Sequence, residues 1–394
     1  MNMKELFITN INIITETTTI PSGFLQVKNG KIVQIGRMSD YPTETEVEQF
    51  EFSPRFTLIP GMIDIHIHGG NGSDVMDGTH SALANIAKSL PKEGVTSFLA
   101  TTMTHRSDKI ETTLKNTASY MKKQSRCEAE ILGIHLEGPF ISPHKAGAQP
   151  NNYILKPNVQ LFKKWQSLAE GAIKVVTMAP EVENGIEFIK HLNELGVIIS
   201  IGHSDASYQD VEQAIKVGAT HVTHFYNAMS GMHHRDPGVV GAALANDQLF
   251  VELIVDGIHV HPEIVKLTYK AKQANQANQI LLITDAMRAT GLKDGCYELG
   301  GQSVNLIDGQ PLLADGTLAG STLTMNEAIK NMISYTGCSL QEIVVMTSEN
   351  PAKRLNVFQR KGSIKEGKDA DLVVLNDQKD VIMTVCRGEV TYSL

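Results

Sequence analysis

Eight short apolar, strand-like runs alternate with segments of helix length through the middle of this 394-residue chain. Such runs, bounded by glycine or proline, predict buried strands, and parallel strands need long crossovers that are usually helices. Eight strand-helix units over about 290 residues predict an α/β fold, a (β/α)8 barrel. The predicted strands are Gly61–His66, Val95–Thr101, Ile131–Glu137, Lys174–Pro180, Val197–Ser204, His221–Asn227, Phe250–Gly257 and Gln279–Asp285.

An open, doubly wound sheet is the alternative arrangement for the same alternation of strands and helices. It predicts a glycine-rich phosphate-binding turn directly after the first strand and leading into a helix. The segment Gly69-Gly70-Asn71-Gly72 occupies that position but lacks the spacing of the fingerprint. The barrel is therefore the favoured fold.

Both ends of the chain show short alternating segments broken by turns, which predict further strands. Leu6–Ile14 and Lys31–Ile35 lie near the start, and Asn29-Gly30 is a strong hairpin signal. Gly362–Val390 has the same character near the end. Because neither end is large enough to close a core alone, we expect residues 1–58 and 353–394 to form one β-sandwich domain beside a barrel of residues 59–352.

The charge balance excludes several classes of partner. A formal net charge of −8 argues against a broad surface for nucleic acid or anionic membranes. No apolar run is long enough to span a bilayer, and the start lacks a basic region followed by an apolar stretch. The four cysteines have no paired spacing, which fits a reducing compartment. We expect a soluble, cytoplasmic protein.

Histidines and carboxylates collect at the C-terminal ends of the predicted strands. His66 and His68 are two residues apart on one strand, so their side chains share a face. Singly, each such residue reads as a hydrogen-bonded core histidine or a helix cap. Together they predict a metal site, because functional residues of a barrel sit at this end and buried unpaired ionisable groups are costly. The full set is His66, His68, Glu137, His203, His224 and Asp285.

Imidazole and carboxylate ligands without thiolate suit zinc, iron, manganese or similar divalent ions. The set exceeds the needs of one open catalytic ion. A partition follows in which Glu137, His203 and His224 hold one ion, while His66 and His68 help to hold a second and Glu137 bridges the two. The sequence alone leaves one ion or two open.

Six segments and the closing Gly362–Val374 resemble the N-acetylglucosamine-6-phosphate deacetylase family of the amidohydrolase superfamily. The resemblance extends over nearly the whole chain, and its specificity comes from the order and number of short motifs. The six segments are Pro60–Gly70, His135–Phe140, Gly202–Ala206, Thr223–Met229, Asp256–His259 and Thr284–Met287.

The resemblance implies hydrolysis of the acetamide of N-acetyl-D-glucosamine 6-phosphate to D-glucosamine 6-phosphate and acetate, with Asp285 as the catalytic acid and base. Glu137, His203 and His224 would be metal ligands, and His66 and His68 would serve a second ion. Some superfamily relatives bridge two ions with a lysine at the end of the fourth strand. In this chain that position reads Met178-Ala179-Pro180-Glu181 and contains no lysine.

The resemblance also implies a set of substrate contacts and a homodimer, or a dimer of dimers. Arg235 would meet the phosphate from a partner subunit, and His259 would stabilise the oxyanion. Where the family reads Lys-Gly-Ala-His, this chain has Lys145-Ala146-Gly147-Ala148-Gln149, so an uncharged glutamine replaces a histidine and the sugar preference is in question. The implied substrate-binding residues are Ala148, Gln149, Asn227, Ala228, Arg235, His259, Leu318, Ala319 and Gly320.

Two other interpretations remain open from the sequence. A related amidohydrolase could act on another N-acyl substrate, such as N-acetylgalactosamine 6-phosphate or a cyclic amide. A non-catalytic barrel scaffold is the alternative from another class, although loss of ligands would be expected there and none is missing.

Overall fold

The structure is a computed structural model that describes residues 5–42, 47–273 and 279–394. Within these residues, eight parallel strands pair in chain order, which confirms the predicted barrel. Nearly every strand residue is buried, as expected for strands covered on both faces. The strands are Met62–Ile67, Val95–Thr101, Glu130–Glu137, Ile173–Met178, Ile198–Ile201, Ala219–Val222, Phe250–Ile254 and Ile280–Ile283.

The barrel closes at a seam between the first strand, with the residue after it, and the residues that follow the eighth strand. Ile67 and Ala286 form an isolated parallel bridge. The backbone N–H of Asp285 donates to the carbonyl of His66 at 2.9 Å, and that of His68 donates to Ala286 at 2.9 Å. Beneath them, the Thr284 hydroxyl donates to Asp64 at 2.6 Å. The seam is therefore made by the backbone of predicted site residues.

Strands four to eight end earlier than the sequence predicted, the fourth at Met178 and the seventh at Ile254, and strands five, six and eight do so for a shared reason. The fifth stops at Ile201 and the sixth at Val222, so the predicted ends at Ser204 and Asn227 are wrong. The cause is a left-handed backbone at the site residues that follow, which cannot continue a strand. The φ angles are 49° at His203, 28° at His224 and 51° at Asp285. Such conformations cost about 1–3 kcal/mol each and concentrate at functional sites.

A helix follows each barrel strand and covers the outside of the barrel. No helix among the described residues is long and apolar enough to cross a membrane. Three short helical segments, Leu340–Val344, Val345–Glu349 and Asn350–Arg354, follow the last of these helices and pack against the barrel, where the Asn350 amide donates to the carbonyl of Ile280 in the eighth strand at 3.0 Å. The eight barrel helices are His80–Ser89, Ser107–Met121, Val159–Leu168, Gly185–Glu194, Tyr208–Val217, Gly238–Ala245, Pro262–Lys272 and Met325–Thr336.

Strands from both ends of the described chain join in a second sheet with its own apolar core, as predicted. They form one continuous eight-stranded sheet rather than two, and a bridge between Lys31 and Asp369 folds it over that core. Asn29 and Gly30 both have positive φ and make the predicted hairpin turn. The strands are Glu5–Ile14, Thr19–Lys28, Lys31–Arg37, Glu48–Glu51, Thr57–Pro60, Leu372–Leu375, Val381–Cys386 and Glu389–Ser393.

A buried charge cluster connects this sheet to the barrel. The Lys361 side chain is 1% exposed, and its Nζ lies 2.7 Å from Glu130 at the start of the third barrel strand. It also pairs with Asp371, directly before a strand of the second sheet. Arg360 adds a two-pronged contact to Glu130 at 2.9 Å. Removing one partner of such a buried ion pair is destabilising, because it leaves the other charge buried and uncompensated.

A small sheet that was not predicted is inserted between the eighth barrel strand and its helix. Its strands, Gly295–Leu299, Gln302–Ile307 and Gln310–Leu312, pair antiparallel. Gln302–Ile307 alternates exposed and buried residues and Gly295–Leu299 is mostly exposed, whereas the predicted barrel strands were recognised as continuous apolar runs. This insertion delivers Leu299, Thr317 and Leu318 to the mouth of the barrel.

Candidate metal centre and substrate cavity

The six predicted site residues come together at the C-terminal mouth of the barrel. Five of them line a cavity of about 250 Å³, and His66 lies buried directly behind them. Each belongs to, or directly follows, a different barrel strand, except the His66 and His68 pair, which shares one. The lining five are His68, Glu137, His203, His224 and Asp285.

Glu137 lies between two groups of histidines. Its Oε1 is 3.1 Å from Nε2 of His203 and 3.1 Å from Nε2 of His224. Its Oε2 is 3.1 Å from Nε2 of His68. The carboxylate is 2% exposed, so it is available to both groups and to almost nothing else.

The first-strand histidines face both Glu137 and Asp285. His66 Nε2 is 3.6 Å from Glu137 Oε1 and 3.6 Å from Asp285 Oδ1. His68 Nε2 is 3.3 Å from Asp285 Oδ1. Asp285 thus stands at the edge of the same cluster, on the cavity side, where its side chain is 11% exposed.

The electrostatics of the cluster favour positive charge at its centre. Burial lowers the pKa of His68, but hydrogen bonds to Asp285 and Glu137 outweigh it and raise the pKa to about 9. Burial raises the pKa of Asp285, yet the neighbouring His66 and His68 hold it at about 2. Likewise, His66, His203 and His224 keep the pKa of Glu137 well below its usual range in spite of burial. Both carboxylates are therefore ionised at neutral pH.

The ligand atoms fit a divalent cation. Those of Glu137, His203 and His224 all lie within 4.8 Å of one another, as do those of His66, His68 and Glu137. Four ligands about 2.0–2.1 Å from a zinc ion would stand roughly 3.3 Å apart, close to the 3.0 Å between the Nε2 atoms of His203 and His224. His66 Nε2 is buried and has no hydrogen-bond partner among the described atoms. Such convergence of uncompensated donor atoms is typical of a metal site.

Of the nine predicted substrate contacts, seven line the cavity and two do not. Ala319 is buried outside it. Arg235 lies exposed on the loop after the sixth strand, where its guanidinium contacts only His234 among the hydrogen bonds described. The seven lining residues are Ala148, Gln149, Asn227, Ala228, His259, Leu318 and Gly320.

Gln149 is held against the centre itself. Its amide nitrogen donates to Oε2 of Glu137 at 2.9 Å, and its amide oxygen accepts the backbone N–H of Thr104 at 2.7 Å. The side chain is 5% exposed. It therefore orients the central carboxylate in addition to lining the cavity.

Two carboxylates in this region were not singled out from the sequence. Asp256 Oδ2 lies 2.6 Å from His259 Nδ1, which turns the other ring nitrogen of His259 away from Asp256. Glu252 Oε2 lies 2.9 Å from His66 Nδ1. A charged residue within the apolar run Phe250–Ile254 was the available signal for Glu252, since an unpaired carboxylate is rare inside a barrel strand.

Comparison with known proteins gives concordant results. The amidohydrolase family profile matches residues 57–391. The chain is 49% identical over 391 residues to N-acetylglucosamine-6-phosphate deacetylase of Bacillus subtilis (strain 168), covering 99% of this chain and 98% of that protein. It is 36% identical over 382 residues to N-acetylgalactosamine-6-phosphate deacetylase of Escherichia coli O157:H7, covering 96% and 97%. A solved mutant of N-acetyl-D-glucosamine-6-phosphate deacetylase from Mycobacterium smegmatis, in complex with N-acetyl-D-glucosamine-6-phosphate, matches with a TM-score of 0.91 and 29% identity, covering 99% of this chain and 100% of that one.

Proposed function

This chain belongs to the amidohydrolase family, and we propose that it hydrolyses the acetamide of N-acetyl-D-glucosamine 6-phosphate, releasing acetate and D-glucosamine 6-phosphate. The observation that carries the proposal is the cluster of six side chains, Glu137 and the five around it, at one end of the cavity. The name of the Bacillus subtilis relative supplies the substrate, and the cavity is of a size for one sugar.

Glu137, His203 and His224 would hold one divalent ion, and His66 and His68 would hold a second with Glu137 shared between them. The two carboxylate oxygens face different histidine groups, which supports the shared role. A divalent ion in such a site supplies Lewis acidity, which polarises a carbonyl and lowers the pKa of water toward about 7. The same ligand types accept zinc, iron or manganese.

Asp285 would act as general base and then as general acid. Its carboxylate is ionised at neutral pH and borders the cavity, so it can accept a proton from the attacking water. The water oxygen would bond to the carbonyl carbon, and the C–N bond would then break. Asp285 would return the proton to the amine nitrogen as that bond breaks. His259, oriented by Asp256, would donate to the oxyanion.

The sugar phosphate requires a cation, and the cavity-lining residues include no lysine or arginine. Arg235 would supply it from a partner subunit, since its own side chain lies outside the cavity of its own chain. This makes the active unit a dimer in which each subunit completes the phosphate site of the other.

N-acetylgalactosamine 6-phosphate is the second candidate substrate. The Escherichia coli O157:H7 relative carries that name, and the two sugars differ only in the configuration of one hydroxyl. The implied family pattern has a substrate-binding histidine where this chain has Gln149, and we propose that this exchange alters the preference between the epimers.

The test is acetate release from both hexosamine phosphates and from unphosphorylated N-acetylglucosamine, together with metal analysis of the same purified sample. We expect turnover of the glucosamine epimer, dependence on the phosphate, and loss of turnover with a chelator that a divalent ion reverses. If a sample that retains its metal releases no acetate from N-acetylglucosamine 6-phosphate, the proposal is contradicted.

A further inference from the structure

We propose that Glu252 is a positioning residue for the metal centre: it fixes the ring and tautomer of His66 so that Nε2 faces Glu137 and Asp285. The inference rests on the proposed function, because it assigns a role toward the ion that His66 would bind. Glu252 lies in the seventh barrel strand, Phe250–Ile254, and is not itself one of the cavity-lining residues.

The contacts of Glu252 reach both groups of candidate ligands. Its Oε2 is 2.9 Å from His66 Nδ1 and accepts the backbone N–H of His224 at 3.4 Å. Its backbone carbonyl accepts the N–H of Phe225 at 2.7 Å. One residue therefore orients the His66 ring and also anchors the backbone that presents His224 on the other side of Glu137.

The hydrogen-bond pattern selects one tautomer of His66. Because Oε2 already accepts an N–H from the backbone of His224, it acts as an acceptor, and His66 Nδ1 is the donor. The lone pair of the neutral ring then resides on Nε2, the atom that points at Glu137 and Asp285. A carboxylate behind a ligating histidine raises its basicity and fixes its direction in this way.

The neighbouring histidine cannot substitute for Glu252. His135 packs against the His66 ring with 4.6 Å between centroids. However, its Nδ1 faces the carbonyl of Ile65 at 3.0 Å and its Nε2 faces the Thr177 hydroxyl at 2.7 Å. His135 therefore confines the ring sterically, and Glu252 alone offers Nδ1 an acceptor among the contacts described.

Glu252 is also costly to keep. It is fully buried, and its Oε1 has no hydrogen-bond partner among the described atoms. A buried carboxylate satisfied on one oxygen only is less favourable than an apolar side chain of that size. A carboxylate kept for stability would be paired on both oxygens, whereas this one is paired only toward the metal centre.

The test compares Glu252→Gln with the wild-type holoenzyme by equilibrium dialysis against buffered Zn²⁺, with zinc counted per subunit. The amide removes the charge at nearly the same volume, and we expect one zinc-binding step to weaken about 10- to 100-fold. Cobalt-loaded protein should show a changed visible spectrum. Glu128→Gln is the matched control, because Glu128 is 1% exposed but bonds to the Tyr120 hydroxyl and the N–H of Ser125.

A Glu252→Gln isotherm that overlays the wild type overturns the proposal. So does an equal weakening of every zinc step accompanied by a lower melting temperature in zinc-free buffer, which would mark a purely structural role. The zinc isotherm involves no substrate. If the wild type releases no acetate while the variant still shows selective weakening, the proposed function fails and the role of Glu252 stands.

Discussion

Replacing Asp285 by asparagine isolates its proton chemistry from its structural role. The seam of the barrel depends on the backbone at this position, where the N–H bonds to His66 and the carbonyl accepts from Ser321 at 2.8 Å. Asparagine keeps both bonds and the side-chain volume. It removes only a carboxylate that is ionised at neutral pH and lies 3.3 Å from His68.

The expected loss is large in turnover and small in binding. General acid-base catalysis contributes about 10²- to 10⁴-fold, which corresponds to roughly 3–5 kcal/mol of transition-state stabilisation. An amide can neither accept the proton of water nor return it to the amine, so kcat should fall by that factor. KM should change little, because the implied sugar and phosphate contacts lie elsewhere.

The assay is acetate release under saturating substrate, with metal per subunit measured on the same preparation. Asp210→Asn, on the outer helix Tyr208–Val217, provides a matched control that should keep full turnover. Turnover of Asp285→Asn within tenfold of the wild type, with metal retained, would refute the assignment of the base. Loss of the metal would instead show that Asp285 serves chiefly as a ligand.

Three further results are expected. Arg235→Ala should raise KM for the phosphosugar roughly 10- to 100-fold, which is the effect of losing a charged hydrogen bond. An equal mixture of the Arg235→Ala and Asp285→Asn variants should recover about a quarter of wild-type activity, because half of the dimers contain one subunit of each variant and each such dimer has one complete site. A KM unchanged by Arg235→Ala, or no recovery on mixing, would remove the shared site. Gln149→His should shift the ratio of kcat/KM between the glucosamine and galactosamine epimers, and kinetics identical to the wild type on both would show that Gln149 does not select the sugar. For Glu130, burial raises the pKa, but Arg360 and Lys361 outweigh it and hold the folded value at about 2 against 4.5. The resulting stabilisation, at most about 3 kcal/mol, is present above pH 4.5 and is lost as the pH falls toward 2. Urea unfolding at a series of pH values should therefore give a difference in the free energy of unfolding between wild type and Glu130→Gln that shrinks on acidification. A difference independent of pH would contradict it.

The sequence was sufficient for the barrel because eight apolar runs carry their own signal, and for the cluster because parallel strand ends meet at one mouth. It could not give the backbone at His203, His224 and Asp285, where function imposes a left-handed conformation that no propensity indicates. Nor could it give the partners of long side chains. The contact of Gln149 with Glu137 depends on how a loop folds back. In the sequence, Glu252 is a single charged residue in an apolar run, and nothing there indicates its contact with His66.

The small sheet at Gly295–Leu312 was overlooked for a different reason. Gly295–Leu299 is mostly exposed and Gln310–Leu312 is only three residues long, so neither a continuous apolar run nor an extended alternation marks them. This is why the lining residues Leu299 and Thr317 came only from the structure.

The seam of the barrel can form only after the ribosome has synthesised the eighth strand. Thr284 and Asp64, which bond across it, are 220 residues apart in the chain. At roughly 5–20 residues per second, a ribosome needs about 10–45 seconds to produce the second after the first. Throughout that interval the first strand has one open edge and two imidazoles with no carboxylate from the eighth strand beside them. A growing chain therefore reaches its final arrangement late, and any chaperone that shields the open edge must stay bound until the last barrel strand emerges.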